Sequence, residues 1–179
     1  MLRIMRSLKM KEYDVNKLLD NKDLVESMIQ KFMTEGILKK QTEDVYEIKG
    51  HIAKAEHNLR FVVENIKLDF IDWAITGCYY ASYHAALSLL MNRGYSSKNH
   101  LATLCVLIKE YYKRELNKED LELIAHFLDY QDLLFYVESK NKREDAAYST
   151  KVKFEKKEVE QLRIKAALFV SKIKSILYS

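Results

Sequence analysis

Apolar residues recur with the period of an α-helix over much of the chain, most clearly between Asp69 and His100. In this stretch Gly77 is the one helix breaker before Gly94, which predicts a single long central helix that ends at Gly94. One face of this helix carries only small side chains, at Ala74, Cys78, Ala81 and Ala85. Small side chains let a neighbouring helix approach closely, so we expect the rest of the fold to pack on this helix.

Four further stretches have the same period and predict the other helices of the core. They are His51–Ile66, Leu101–Tyr112, Asn117 to about Val137, and Lys156–Leu177. The first lies so close to the central helix in sequence that the two are expected to be antiparallel neighbours. Asn117, with Asp120 one turn later, is the expected N-cap of its helix.

The N-terminal region is less regular. Apolar residues between Leu18 and Phe32 recur at helical spacing, and Gly36 is the expected C-terminal stop of that helix. Residues 36–50 predict either a loop or a small two-stranded wing. We therefore divide the chain into an N-terminal arm, residues 1–50, which packs on the main domain, and a helical bundle, residues 51–179.

Turn-forming residues are scarce, with 4 glycines and no proline in 179 residues. A β-rich fold needs many turns, whereas a few long helices need almost none. The sequence therefore predicts an all-α fold, an up-and-down bundle of four to five antiparallel helices with an N-terminal helical arm. No apolar run is long enough to span a membrane, and no signal peptide is evident. Cys78 and Cys105 lie in apolar helical patterns and are expected to be small buried core residues. Free cysteines of this kind are typical of proteins in the reducing cytoplasm.

The charge of the chain is mildly positive, with a formal net charge of +4. This excess is compatible with a nucleic-acid partner but does not indicate one, because dedicated binders concentrate their charge in a patch. Residues 140–157 come nearest to such a patch. A solvated loop followed by a helix start is the simpler interpretation of that segment.

The common catalytic motifs are absent from the sequence. The 4 glycines are too scattered to form a P-loop or a dinucleotide-binding loop. The histidines do not combine with cysteines or carboxylates at zinc-binding spacing, and no GxSxG nucleophile motif is present. We therefore expect any chemistry to proceed without a metal ion or another cofactor.

The remaining candidates for catalysis are Arg93, at the end of the central helix, and His100, at the start of the next helix. An imidazole that titrates near neutrality can take a proton from a ribose 2′-hydroxyl or give one to a leaving 5′-oxygen. A guanidinium can hold a phosphate in a fork and stabilise the charge on its oxygens. If the short connection holds both side chains at one corner, metal-free RNA cleavage that leaves a cyclic phosphate is feasible. The neighbouring candidates for substrate binding are Ser97, Lys98, Asn99 and Tyr83.

A structural interpretation accounts for the same spacing. Arg93 can cap the carbonyl end of the central helix, and a serine or asparagine between residues 96 and 99 can cap the next one. His100 is then only the first turn of that helix. An arginine and a histidine at this separation often occur by chance, so spacing alone favours the structural interpretation.

The other histidines are not expected to be catalytic. His84 lies among tyrosine and alanine residues on the central helix, which is typical of a hydrogen-bonded core histidine. His51, His57 and His126 are assigned no role. The tyrosine-rich helix faces indicate core and interface packing rather than a platform for stacking nucleic-acid bases.

The run YYASYHAALSLLMNRGYSSKNH at residues 79–100, followed later by REDAAY at residues 143–148, resembles the HEPN domain family. The resemblance covers about residues 51–178. It is similar in particular to the stand-alone bacterial and archaeal members, in which a tyrosine-rich helix with a His-Ala-Ala step precedes a glycine, a short turn and a histidine. The family's hallmark is an arginine followed, after a few residues, by a histidine, and Arg93 and His100 match it.

The resemblance implies a helical bundle that forms a homodimer, with the histidine motifs of both protomers facing one cleft. Many members are metal-independent RNases, often toxins paired with a small nucleotidyltransferase antitoxin. Other members lack activity and bind nucleotide or RNA, or act as a partner subunit of such a nucleotidyltransferase. An RNase, a binding or partner subunit, and a purely structural helical dimer all remain open from the sequence.

Overall fold

The computed structural model describes residues 15–126 and 155–179. Five helices and two short strands have clear bounds in these ranges. They are α1 (Lys22–Thr34), β1 (Leu38–Lys40), α2 (Val45–Lys67), α3 (Ile71–Asn92), β2 (Tyr95–Ser97), α4 (His100–Tyr111) and α5 (Lys156–Tyr178). Residues 15–20 and 118–126 are also helical. The all-α prediction is therefore confirmed.

Most of the predicted helices agree closely with the structure, and α2 is the main exception. The central helix is α3, and the last helix is α5. The first core helix begins at Val45 rather than His51, because the side chain of Asp44 accepts hydrogen bonds from the amides of Tyr46 and Glu47 and so caps an earlier turn. Residue 50, the last residue of the predicted arm, thus lies inside α2. The division of the chain into an arm and a bundle stays a prediction.

The helix that follows α4 starts where the sequence predicts. The amide of Asn117 donates to the Asp120 carboxylate at 2.9 Å, and the amide of Asp120 donates to the Asn117 side chain at 3.0 Å. These reciprocal bonds form a capping arrangement. The predicted end of this helix near residue 137, the REDAAY run and most of the basic segment 140–157 lie outside the described residues.

The two strands join the N-terminal part of the chain to the connection between α3 and α4. β1 pairs antiparallel with β2, with Leu38 opposite Ser97 and Lys40 opposite Tyr95. The predicted local two-stranded wing is therefore wrong, since the partner of β1 lies beyond α3. Residues 41–44 form a loop, and residues 45–50 belong to α2. Helix α1 packs against α4 on the same side, as expected for an arm that packs on the main domain.

Helices α2 and α3 form an antiparallel pair that approaches closely at Gly77. A Cβ atom at this position would lie 2.6 Å from Val62 Cγ2 and 3.1 Å from Phe61 Cδ1. The small side chains of α3 are fully buried, as predicted, at Ala74, Cys78, Ala81 and Ala85. Helix α5 packs across both α2 and α3, and Lys174 on α5 pairs with Glu56 on α2.

Helix α4 runs beside α3 in roughly the same direction. At its start the ring of His100 contacts Tyr83, and at its end the hydroxyl of Tyr111 donates a hydrogen bond to the Leu89 carbonyl at 3.0 Å. The chain returns along α3 through β2 before α4 begins. The antiparallel alternation of an up-and-down bundle therefore does not extend to the α3 and α4 pair.

Replacing Gly77 with alanine is expected to lower the free energy of unfolding by about 1–3 kcal/mol, because the added methyl group overlaps Val62. Chemical denaturation followed by circular dichroism measures this change. Gly50, inside α2, is a matched control, since a Cβ atom there would meet nothing within 4 Å. G50A should stabilise the protein by up to about 1 kcal/mol. Equal effects of the two substitutions would contradict the close approach.

Candidate functional site

His100 is the first residue of α4, and its side chain lies against α3. Asn99 caps the helix, because its side-chain oxygen accepts a hydrogen bond from the Ala102 amide at 2.9 Å. The hydroxyl of Tyr79 lies 2.9 Å from His100 Nε2, and the ring centroids of Tyr83 and His100 are 3.9 Å apart. The half-buried imidazole is thus held by a hydrogen bond and by aromatic packing.

Tyr79 keeps its proton beside this imidazole. Burial of the ring, together with the neighbouring Tyr83 and Tyr80, raises the pKa of Tyr79 well above its usual value. A protonated phenol can donate a hydrogen bond to an unprotonated Nε2 or accept one from a protonated Nε2. The contact between Tyr79 and His100 can therefore persist whether the imidazole is neutral or charged.

Arg93 is held by a different set of contacts. It is the C-cap of α3, and its guanidinium carbon lies 4.8 Å from the ring centroid of Tyr111 and its Nη2 atom 4.0 Å from the Glu115 carboxylate. Tyr111 is fully buried, and its hydroxyl accepts a hydrogen bond from the side-chain Nδ2 of Asn92 at 3.3 Å. The guanidinium therefore joins the ends of α3 and α4 to the turn that follows α4.

The structure does not bring Arg93 and His100 together within one protomer. His100 begins α4, and Tyr111, which Arg93 contacts, ends it, so the two sites are separated by roughly 16 Å at the rise of an α-helix. The prediction that Arg93 and His100 share one corner of the fold is therefore wrong, because β2 carries the chain back along α3 before α4 starts. The assignment of both residues to catalysis stays a prediction.

Two of the predicted substrate-binding side chains are engaged within the fold. The Ser97 hydroxyl donates a hydrogen bond to the Ile37 carbonyl at 3.0 Å and accepts one from the Asn99 amide at 3.0 Å. The Asn99 side chain is the cap of α4. The geometry therefore supports a structural role for Ser97 and Asn99. Lys98 is exposed, and Tyr83 contacts His100.

A second pair of histidines joins α2 and α3. His51 Nδ1 and His84 Nδ1 are 2.8 Å apart, and the ring centroids are 5.1 Å apart. The difference is about twice the distance from a ring nitrogen to its centroid, so the two nitrogens point at each other almost in line. One ring must donate and the other accept, which requires both rings to be neutral or only one to be charged.

The environment favours the neutral forms of both rings. Burial, His51 and Lys54 lower the pKa of His84 to about 4. Burial and Lys54 likewise lower the pKa of His51, although Glu47 acts in the opposite direction. His84 is thus the hydrogen-bonded histidine that the sequence predicts, and His51, which had no assigned role, is its partner.

The amino-acid sequence of this chain is similar to a known protein family and to a known protein. The model of the HEPN domain matches residues 48–176, from the first turn of α2 nearly to the end of α5. The chain belongs to the HEPN domain family. It is also 29% identical over 133 residues to the protein named "Putative toxin MJ0142" from Methanocaldococcus jannaschii. That alignment covers 74% of this chain and 83% of the relative.

Metal binding, membrane-spanning helices and reactive thiols can each be assessed in the described part of this HEPN chain. In residues 15–126 and 155–179, no group of three or more His, Cys, Asp or Glu side chains could hold a metal ion. Over the same ranges, no helix is both long and apolar enough to cross a membrane. Burial raises the pKa of the Cys78 and Cys105 thiols to about 12, so neither thiol is a ready nucleophile.

Sequence reasoning missed the contacts of three residues in this HEPN domain, namely those of His100, Arg93 and His84. Tyr79 and Tyr83 lie one turn apart on α3, and that spacing was the available signal that both could contact one residue outside the helix. Glu115 gave no comparable signal, because the turn that holds it near Arg93 depends on where α4 ends. The partnership of His51 and His84 depends on the register between α2 and α3, which a single sequence does not reveal.

The stability of the HEPN domain is expected to fall as the pH is lowered from about 6.5 towards 4. In the unfolded chain His84 takes up a proton near its ordinary pKa of 6.5, whereas in the folded chain its pKa is about 4. The unfolded state therefore binds more protons across this interval, and stability is lost as the pH falls. Denaturant titrations at several pH values measure the slope.

Substituting His84 with glutamine should flatten this part of the stability profile. His57→Gln is the matched control, because His57 is exposed on α2, and it should leave the slope unchanged. An identical slope in the wild type and in H84Q would show that the histidine pair does not couple folding to pH.

Proposed function

We propose that this HEPN protein is a toxin-type RNase that cleaves RNA without a metal ion, with His100 as the acid and base. The observation that carries the proposal is the placement of the His100 imidazole at a helix start, between the Tyr79 hydroxyl and the Tyr83 ring. The name of the Methanocaldococcus relative supports a toxin role. It does not specify a substrate.

The proposed reaction is a transesterification within the RNA. His100 removes the proton from a ribose 2′-hydroxyl as its oxygen forms a bond to the adjacent phosphorus. The bond from phosphorus to the 5′-oxygen breaks, and the protonated His100 imidazole gives its proton to the 5′-oxygen, which leaves a cyclic phosphate and a free 5′-hydroxyl. Tyr79 holds the imidazole in the orientation that this proton transfer needs.

The contacts of Arg93 limit its role in this proposal. Its guanidinium is engaged with Tyr111 and Glu115 at the far end of α4 from His100. Within one protomer it cannot bind the phosphate on which His100 acts. In the homodimer that the family resemblance implies, Arg93 of a second copy is one group that could bind that phosphate.

A second candidate function is a binding or partner subunit that does not cleave RNA. The engagement of Arg93 within the fold favours this alternative, because it removes one half of the expected catalytic pair from the neighbourhood of His100. Such a subunit would bind RNA, a nucleotide or a small nucleotidyltransferase that acts as its antitoxin. It predicts saturable binding or a stable complex with no RNA turnover.

The test is cleavage of transfer RNA or messenger RNA by the purified protein in EDTA. Under the RNase proposal, H100A should lose at least about 100-fold in rate, since general acid and base catalysis contributes about that much or more. Y79F, which lacks the hydroxyl, should lose less, and the products should end in cyclic phosphate. H57A is the matched control and should cleave like the wild type.

Equal cleavage by the wild type and H100A would rule out His100 as the catalytic group. The absence of cleavage by the wild type, together with saturable nucleotide binding or a stable complex with a nucleotidyltransferase, would favour the second candidate. R93A separates the two roles of Arg93. A loss of stability with unchanged cleavage identifies a role in the fold, and a loss of cleavage in a folded protein identifies a role at the phosphate.

A further inference from the structure

Positive charge is concentrated on the short sheet formed by β1 and β2. Residues 37–41 and 95–99, which we name the basic ribbon, contain three lysines and no acidic residue. These lysines are Lys39, Lys40 and Lys98, and all three are exposed. Lys98 is far from the other two in the sequence, so the pairing of β1 with β2 brings them together. The ribbon is therefore a basic patch that the order of charges along the chain does not reveal.

The side chains of the basic ribbon divide between its two faces. Lys40 lies opposite Tyr95, and its ammonium nitrogen is 3.5 Å from the centroid of that ring. Lys39 lies opposite Ser96 on the other face, because successive side chains of a strand alternate. Leu38, on the same face as Lys40, is buried. The face that carries Lys39 and Ser96 therefore points away from the core.

Lys98 extends the basic ribbon towards His100. It directly follows β2 and lies two residues before His100, so the Cα atoms of the two are at most about 7 Å apart. Asn99, between them, caps α4, and the Ser97 hydroxyl donates a hydrogen bond to the Ile37 carbonyl at 3.0 Å. These bonds hold the backbone on both sides of Lys98 next to the candidate site.

The charges of Lys39 and Lys98 are available to a polyanion. Within the part of the chain that the structure describes, neither side chain forms an ion pair. The outward face presents the polar side chains of Lys39 and Ser96, whereas the core of a protein interface is depleted of charged residues. Lysine ammonium groups and serine hydroxyls are common donors to phosphate oxygens. The chemistry of the ribbon thus favours a phosphate backbone over a protein surface.

We infer that the basic ribbon binds the phosphate backbone of an RNA strand whose scissile phosphate lies at His100. Lys39 and Lys98 contact phosphates beside the one that is cleaved, and such contacts position a strand without reading its sequence. The inference rests on the proposed function, because it takes RNA as the substrate of the His100 site. It adds an element outside the family match, since β1 precedes residues 48–176.

Fluorescence anisotropy of a labelled 2′-O-methyl RNA at several salt concentrations tests the inference, because this RNA lacks the attacking hydroxyl and stays intact. K39Q/K98Q should raise the Kd about 10-fold at physiological ionic strength and lower the slope of log Kd against log salt by about 1.4, since each phosphate contact on a single strand contributes about 0.7. The matched control is K156Q/K157Q, which removes the same charge from the exposed first turn of α5. It should leave the Kd and the slope almost unchanged.

No RNA binding by the wild type, an unchanged Kd in K39Q/K98Q that is folded by circular dichroism, or equal weakening by the control would overturn the inference. So would equally tight, ribbon-dependent binding of polyglutamate, which would identify a site for acidic chains in general.

Cleavage of unmodified RNA separates this failure from that of the proposed function. Cleavage by K39Q/K98Q with the KM of the wild type would leave the RNase standing and overturn the inference. Ribbon-dependent binding of RNA that the wild type does not cleave would refute the RNase and leave the ribbon as an RNA-binding surface.

Discussion

Helices α2 and α3 approach each other so closely at Gly77 that an added methyl group would overlap Val62. The rest of the structure depends on this contact. The same helix carries a row of small buried residues that starts at Ala74 and ends at Ala85, and α5 packs across both α2 and α3. Close packing of small side chains is possible only in one register, so it also sets the alignment of the two helices.

That alignment explains the placement of the polar side chains. On the side of α3 that faces α2, the register brings His84 opposite His51 and sets the two nitrogens in line. On the side that faces α4, Tyr79 and Tyr83 are presented one turn apart and hold His100. One helix thus positions two separate histidine sites, and the histidines of both are half-buried.

Local signals made the helices predictable from the sequence. The period of the apolar residues, the small face of α3, and the caps at Asn99 and Asn117 depend on residues within a turn or two of each other, and all are present in the structure. The early start of α2 at Val45 was missed, although Asp44 is a recognisable cap. Here the sequence contains a cap signal at Asp44, but the regular apolar period that starts at His51 predicts a later start for the helix.

The site was only partly predictable, because its geometry depends on distant pairing. β1 pairs with β2 across α2 and α3, and this pairing draws the chain back along α3 before α4 begins. Arg93 and His100 are close in sequence but lie at opposite ends of α4 for that reason. Proximity in the sequence predicts that the two side chains are close in space, whereas the structure separates them.

Helix α3 positions the His100 imidazole through Tyr79 and Tyr83, away from Arg93. Nuclear Overhauser effects from the His100 ring protons, in protein labelled selectively at histidine, tyrosine and arginine, reveal which side chains surround this ring. We expect strong effects to the ring protons of Tyr83 and Tyr79 and none to the Arg93 side chain of the same protomer, with isotope-mixed samples separating contacts between protomers. Strong effects to Arg93 within one protomer, with none to either tyrosine, would show that this placement of His100 is wrong.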